Sequence, residues 1–176
     1  MTFRKITLLC IGLLAISALT GCDHEQPANT TAGSVPKSID DHFAIRVGDR
    51  TVSMQLAVSA EEMEKGLMYR QSLGVDEGML FVYAAPTHMS FWMRNCVFPQ
   101  NIGFFDASGV LKETYDMYPY DEHTVASHAR DLQFALEMNQ GWFSRNGLKS
   151  GAKLDLKAVA EALTARGFKP EQFGLP

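Results

Sequence analysis

Cysteine is scarce in this chain: Cys10, Cys22 and Cys96 are the only three in 176 residues. No two of them form a Cys-x-x-Cys pair, so neither a disulfide scaffold nor a clustered thiolate metal site is written into the sequence. Long apolar runs are lacking too. The longest, Ile6–Leu19, falls short of the ~20 residues that a helix needs to cross a bilayer. Charged residues make up 20 %, with a formal net charge of −4 and no basic block, which argues against nucleic acid or a polybasic membrane patch as partner. Equally missing are Gly-x-Ser-x-Gly, a phosphate-binding glycine loop, His-Glu-x-x-His and any internal repeat. No standard hydrolase, nucleotide or zinc-protease chemistry can therefore be assigned by motif.

What is present begins with an ordered leader. Arg4 and Lys5 precede the apolar run, which ends at Leu19-Thr20-Gly21-Cys22. This order of charge, short apolar stretch and small residue is that of a secretion signal, and the ending resembles the lipobox of bacterial lipoproteins. The resemblance implies cleavage after residue 21, a diacylglycerol and palmitate on Cys22, and a mature chain anchored to a membrane through its lipid. Asp23 after the lipidated residue implies retention at the inner membrane, facing the periplasm. Loss of Arg4 and Lys5 with the leader takes the formal charge from −4 to −6. Cys96 is then the only thiol left in the body, so the fold must rest on its core rather than on a disulfide.

Residues 22–41 contain Pro, Asn, Thr, Gly and Ser with few large apolar side chains, the composition of a flexible tether. Beyond it, period-two alternation at Phe43, Ile45, Val47 and at Val52, Met54, Leu56, Val58 predicts a hairpin turning at Gly48-Asp49. Ser59 and Glu62 form a capping box for a short helix to Lys65. A central strand is expected at Met79–Tyr83, a turn at Ala84–Thr87 and a strand at His88–Arg94. A hairpin follows, Ile102–Asp106 with Val110–Met117, then strands at Leu132–Met138 and Lys153–Leu156. At the C-terminus Leu156, Val159, Ala160 and Leu163 change to helical spacing, with Asp155 as N-cap and Gly167 and Pro170 as stops. The expectation is one mainly β domain at 42–156, an antiparallel β-sandwich or partly open barrel with two or three short helices, and a helix and tail at 157–176 packed on it.

The densest block of distinctive residues runs from Gly66-Leu67-Met68-Tyr69-Arg70 through Gly78-Met79-Leu80-Phe81 to Phe91-Trp92-Met93-Arg94-Asn95, Pro99 and Gly103-Phe104-Phe105-Asp106. Leu136-Glu137-Met138 and Gly141-Trp142 come later. In this order the segments resemble the bacterial and archaeal family called domain of unknown function 192, over about residues 43–155. The resemblance implies a β-sandwich-like domain and brings no established reaction or substrate. Cys96 stands where the family usually has Thr, and Gln100-Asn101 where it has Leu-Asp. An amide cannot act as a general base, so either that position is not catalytic or this chain has diverged.

Strand alternation puts Met89, Phe91 and Met93 on one face of the 88–94 run, and His88, Ser90, Trp92 and Arg94 on the other. Trp92 and Arg94, joined by Arg70, Asn95 and Glu137 from the neighbouring blocks, form the candidate site for a small anionic molecule, with no cofactor or metal implied. The same pattern also fits a half-buried sheet's solvent face, with Arg94 pairing Glu137 across strands and Trp92 beneath the C-terminal helix. Three functions follow: a membrane-tethered ligand-binding or accessory domain, an enzyme using the same pocket with Glu137 as acid or base, and a copper-handling protein drawing on the nine methionines and five histidines. The absent motifs and the neutral Asn101 favour the first over catalysis.

Overall fold

A computed structural model of the chain describes residues 35–176; the leader, Cys22 and most of the expected tether lie outside the described residues. Strand β1 (Phe43–Val47) turns through Gly48 into β2 (Arg50–Ala57). Ser59 then caps α1 (Ala60–Lys65): its hydroxyl accepts from the Glu62 amide while the Glu62 carboxylate accepts from the Ser59 amide. This reciprocal pair satisfies helix-end donors that would otherwise be unpaired. Next come β3 (Glu77–Thr87), a two-residue β4 (Ser90–Phe91), the hairpin β5 (Gln100–Asp106) and β6 (Leu111–Met117), β7 (Val125–Ala126) and β8 (Leu132–Asn139). The chain closes with α2 (Trp142–Arg145), α3 (Leu156–Ala165) and a 3-10 turn at Pro170–Phe173.

Six strands form one open sheet in the order β1-β2-β3-β8-β5-β6, while β4 and β7 pair in a small separate sheet. The protein is thus mainly β, as expected, and open rather than closed. All pairings are antiparallel except β2 with β3, which run parallel across the α1 crossover. Alternation along each strand cannot reveal this pairing, since it reports faces and not neighbours.

Both faces of the large sheet are covered. On one, Ile45, Leu56, Leu80, Phe134 and Leu136 pack with Val159 and Leu163 of α3 and with Trp142. Asp155 caps α3 by accepting from the Ala158 amide, as its position implied. Past the end of the helix, buried Arg166 donates to the Leu56 carbonyl and to Glu62, tying that region to β2 and α1. On the other face Met79, Phe81, Ile102, Phe104 and Ala135 meet Leu67, Met89, Phe91 and Met93. This layer is built largely from loops and the small sheet, and it shapes the candidate site.

Three local expectations are corrected. Ala84–Thr87 is not a turn: β3 continues to Thr87, with a register shift between Val82 and Thr87 where it pairs β8. Pro86 is exposed and sits in this irregular stretch, where a missing N–H costs the ladder little. The strand at 88–94 shrinks to Ser90–Phe91, because its partner β7 offers two residues only. Its alternation of burial persists nonetheless: Met89, Phe91 and Met93 are buried while Ser90, Trp92 and Arg94 are exposed. At 153–156 the strand is reduced to isolated bridges, Val47 to Leu154 and Val110 to Lys153.

Candidate functional site

Glu137 lies in the middle of β8, paired with Met79 of β3 on one side and Ile102 of β5 on the other. Paired residues point to the same face, so a carboxyl group stands between two apolar neighbours, beneath the loop layer. It is 5 % exposed. Among the described residues no Lys, Arg or His forms an ion pair with it. Burial in these surroundings opposes ionisation and pushes its pKa up to about 8. The acid is therefore largely protonated at neutral pH.

A cavity of about 200 Å³ opens over this carboxyl. Phe81, Tyr83, Phe91 and Trp92 contribute aromatic surface to it, Gly66, Leu67 and Met68 close one side, and Cys96 lies beside Glu137. Gly66 is what lets the chain leaving α1 come this close. A Cβ there would sit 3.2 Å from the Phe81 ring and 3.8 Å from Glu137 Oε2, on a backbone whose φ of +47° disfavours any side chain. Gly78 serves the sheet itself, since a Cβ would fall 2.6 Å from the Glu137 carbonyl. Cys96 is buried, and desolvation followed by the nearby Glu137 carboxyl raises its thiol to about 11. A thiol so far from ionising is a poor nucleophile, and Cys96 reads as a small wall residue. The same two causes, in the same order, raise the Tyr83 hydroxyl.

The other residues singled out from sequence divide among three neighbouring hollows. Trp92, 37 % exposed, lines the Glu137 cavity and also an adjacent hollow with Tyr69, Arg94 and Asn95. The Arg94 guanidinium lies 4.4 Å from the Trp92 ring centre and pairs with Glu122 at 3.1 Å. Arg94 does not pair Glu137, and α3 packs on the opposite face of the sheet from Phe91 and Met93, so neither alternative arrangement is realised. Arg70 does not join the cluster: it lines a further hollow with Asp40, Glu62 and Met79. Arg70 thus lines a different hollow from Trp92 and Arg94, and Glu137 lines a cavity that Arg94 and Asn95 do not.

Asn95 is held in the left-handed region at φ +56°, next to Tyr69 at +65°. The two residues clasp each other: the Tyr69 amide donates to the Asn95 carbonyl, and the Asn95 amide group donates to the Tyr69 hydroxyl, both at 2.9 Å. Asn tolerates this backbone, and the clasp locks the two loops that flank the cavity. Such strained positions clustered around one site are a mark of a functional region.

Asn101 belongs elsewhere. It points to the face opposite Glu137, accepting from the Gly141 amide and donating to the Tyr115 carbonyl and the Asp116 carboxylate. Its neighbour Gln100 faces the cavity side and is 0 % exposed; its amide lies against the Cys96 thiol and meets no nitrogen or oxygen partner among the described residues. Sequence reasoning noted Gln100 where the family has Leu but gave it no place in the site, although a polar residue in place of an apolar one was the available signal. Among the described residues, no group of three His, Cys, Asp or Glu side chains is placed to hold a metal ion.

Comparison with known proteins agrees with this architecture. No curated protein matches the chain significantly. A Novosphingobium aromaticivorans protein of unknown function is 33 % identical, with a TM-score of 0.62 over 65 % of this chain and 84 % of that one. A Sinorhizobium meliloti protein, named as a candidate transcription regulator, is 26 % identical, with a TM-score of 0.63 over 70 % and 97 %. The model of DUF192, described as an uncharacterized ACR family, matches residues 43–156. It spans the sheet, the cavity and every candidate ligand-binding residue, and the chain belongs to the DUF192 family.

Proposed function

We propose that the protein is a small-molecule-binding domain held at a membrane surface in the cell envelope by a lipid on Cys22. The observation that carries the binding reading is Glu137, a buried carboxyl with no ion-pair partner among the described residues, lining a cavity to which four aromatic side chains contribute. Burying such a group has a stability cost, which is offset when a ligand supplies the missing partner. The apolar walls add about 25 cal/mol per Å² of surface that a ligand covers. The leader and Cys22 support the tethering half.

Native mass spectrometry of the protein extracted from its own membrane tests the binding reading. A small molecule retained by the wild type and lost in Glu137→Gln is the expected result; equal retention by both proteins would remove Glu137 from the site. A second reading, acid–base catalysis in the same cavity, is favoured by a carboxyl whose pKa of about 8 lies near the working pH. Turnover of the retained molecule, rather than its stoichiometric release, would select it.

A further inference from the structure

We propose that the cavity takes a small organic cation, with its ammonium group against Glu137 and its alkyl part among Phe81, Tyr83, Phe91 and Trp92. The inference rests on the ligand-binding reading above and names its substrate class. Two independent features converge on it. Glu137 is buried, lines the cavity and has no cationic partner among the described residues. Around it the cavity is lined by four aromatic residues, whose ring faces attract cations through their quadrupoles. An anion would meet a carboxyl group where it needs a cation, and a neutral molecule could hydrogen-bond the protonated acid but would leave the cation-attracting rings unused. Trp92 already shows the preference, with the Arg94 guanidinium 4.4 Å from its ring.

Binding a cation changes the protonation of Glu137. The free site holds the proton at neutral pH, whereas the occupied site holds a carboxylate–ammonium pair, so one proton leaves as the ligand enters. The other titratable groups lining the cavity are Tyr83 from β3, Cys96 from the segment after β4, and Glu64 and Lys65 at the end of α1. Tyr83 and Cys96 are shifted up, away from neutrality, and β5 offers the apolar Ile102 opposite Glu137. Lys65 is exposed at the rim and competes with the ligand for the carboxylate.

Isothermal titration of the full chain in non-ionic detergent, against three probes with one alkyl chain, tests the proposal: n-butylammonium, 1-butanol and butyrate. Butylammonium should bind at least about tenfold tighter than the other two at pH 7. Its affinity should rise by up to about tenfold per pH unit from pH 6 to 8, as Glu137 ionises more readily. Heats measured in phosphate and MOPS, neither of which is a primary ammonium, should differ by the released proton. Glu137→Gln should abolish the preference and its pH slope, while Lys65→Gln should keep or strengthen it. Binding of butanol or butyrate as tight as butylammonium overturns the cation and leaves the cavity reading standing. Failure of all three probes also overturns it, and the native mass spectra then decide separately whether the cavity holds any ligand. Loss of butylammonium binding in Lys65→Gln would overturn the placement of the ammonium against Glu137, since removing a competing cation should not weaken it.

Discussion

Glu137 makes folding stability depend on pH in an unusual direction. In the unfolded chain its carboxyl titrates near the model value of 4.5, and in the fold near 8. Between these values the folded state holds a proton that the unfolded state has lost. Stability therefore falls as pH rises, by about 1.4 kcal/mol per unit. It is complete below pH 4.5, declines through the window, and levels off above pH 8. Across the window the loss is on the order of 4–5 kcal/mol, a large part of the stability of a domain of this size. Glu137→Gln keeps the shape of the side chain and cannot ionise. The variant should match the wild type near pH 5 and exceed it by about 4 kcal/mol at pH 8. With a urea slope of about 2 kcal/mol per molar, that is a midpoint shift of about 2 M. Urea titrations of both proteins at pH 5, 6, 7 and 8 measure it, and the difference between them cancels what the histidines contribute. Parallel curves over this range would refute the reasoning, because they would mean that Glu137 is ionised in the fold.

The carboxylates with lowered pKa act in another window. Burial opposes ionisation of Glu62, but the Ser59 and Val58 amides and Arg166 outweigh it; the stability from that site is present above pH 4.5 and should fade on acidification below it, more weakly in Glu62→Gln, as acid titration followed by circular dichroism will show. Phe134 is 0 % exposed beneath α3, and Phe134→Ala should cost about 3–5 kcal/mol in denaturant titration. Asn101→Asp would set a second carboxylate against Asp116 and should cost about 1–2 kcal/mol at pH 7, screened by the exposure of Asp116; restoration by Asp116→Asn in the same chain, measured as a double-mutant cycle, checks the cause. Cys22→Ser should abolish palmitate labelling and cleavage of the leader, as read by metabolic labelling and gel mobility.

Much of the fold was legible because local physics wrote it. The alternation at 43–47 and 132–138, the capping box at Ser59 and Glu62, and the helical spacing after Asp155 all appear as elements. The parallel β2–β3 pair was hidden, since the pairing of distant strands leaves no mark on either strand alone. Helix α2, four residues long, is too short for periodicity to register. The candidate site was half legible. Trp92 and Glu137 share the cavity, but alternation assigned Glu137 to an open face, because Leu136 and Met138 already marked the buried one. Only the loop layer over the second face buries Glu137, and that layer has no regular pattern to read. Arg94 lies beside Trp92 as alternation implied, whereas its ion-pair partner was hidden: Glu122 lies in an irregular segment 28 residues away.

The two faces of the sheet also explain how this chain departs from its family at residue 101 without disturbing the cavity. Asn101 and Glu137 both lie on central strands, but their side chains point to opposite faces, so the ionisable group of the cavity is not the one that was exchanged. What position 101 supplies is an acceptor oxygen for the Gly141 amide at the start of α2. Aspartate and asparagine both offer that oxygen. Asparagine adds two donors, and here they are used by the Tyr115 carbonyl and the carboxylate of Asp116, its cross-strand partner. The negative charge usual at 101 thus stands on the adjacent strand. Gln100, in contrast, replaces a leucine on the cavity side and sets a buried amide against the Cys96 thiol, with no nitrogen or oxygen partner among the described residues. An unpaired buried amide costs about 1–3 kcal/mol, and it lies behind the wall of the cavity that holds Glu137. The exchange at 101 is thus neutral for the cavity, whereas the exchange at 100 adds polarity next to it, and ligand preference within the family should vary with residue 100 rather than with residue 101.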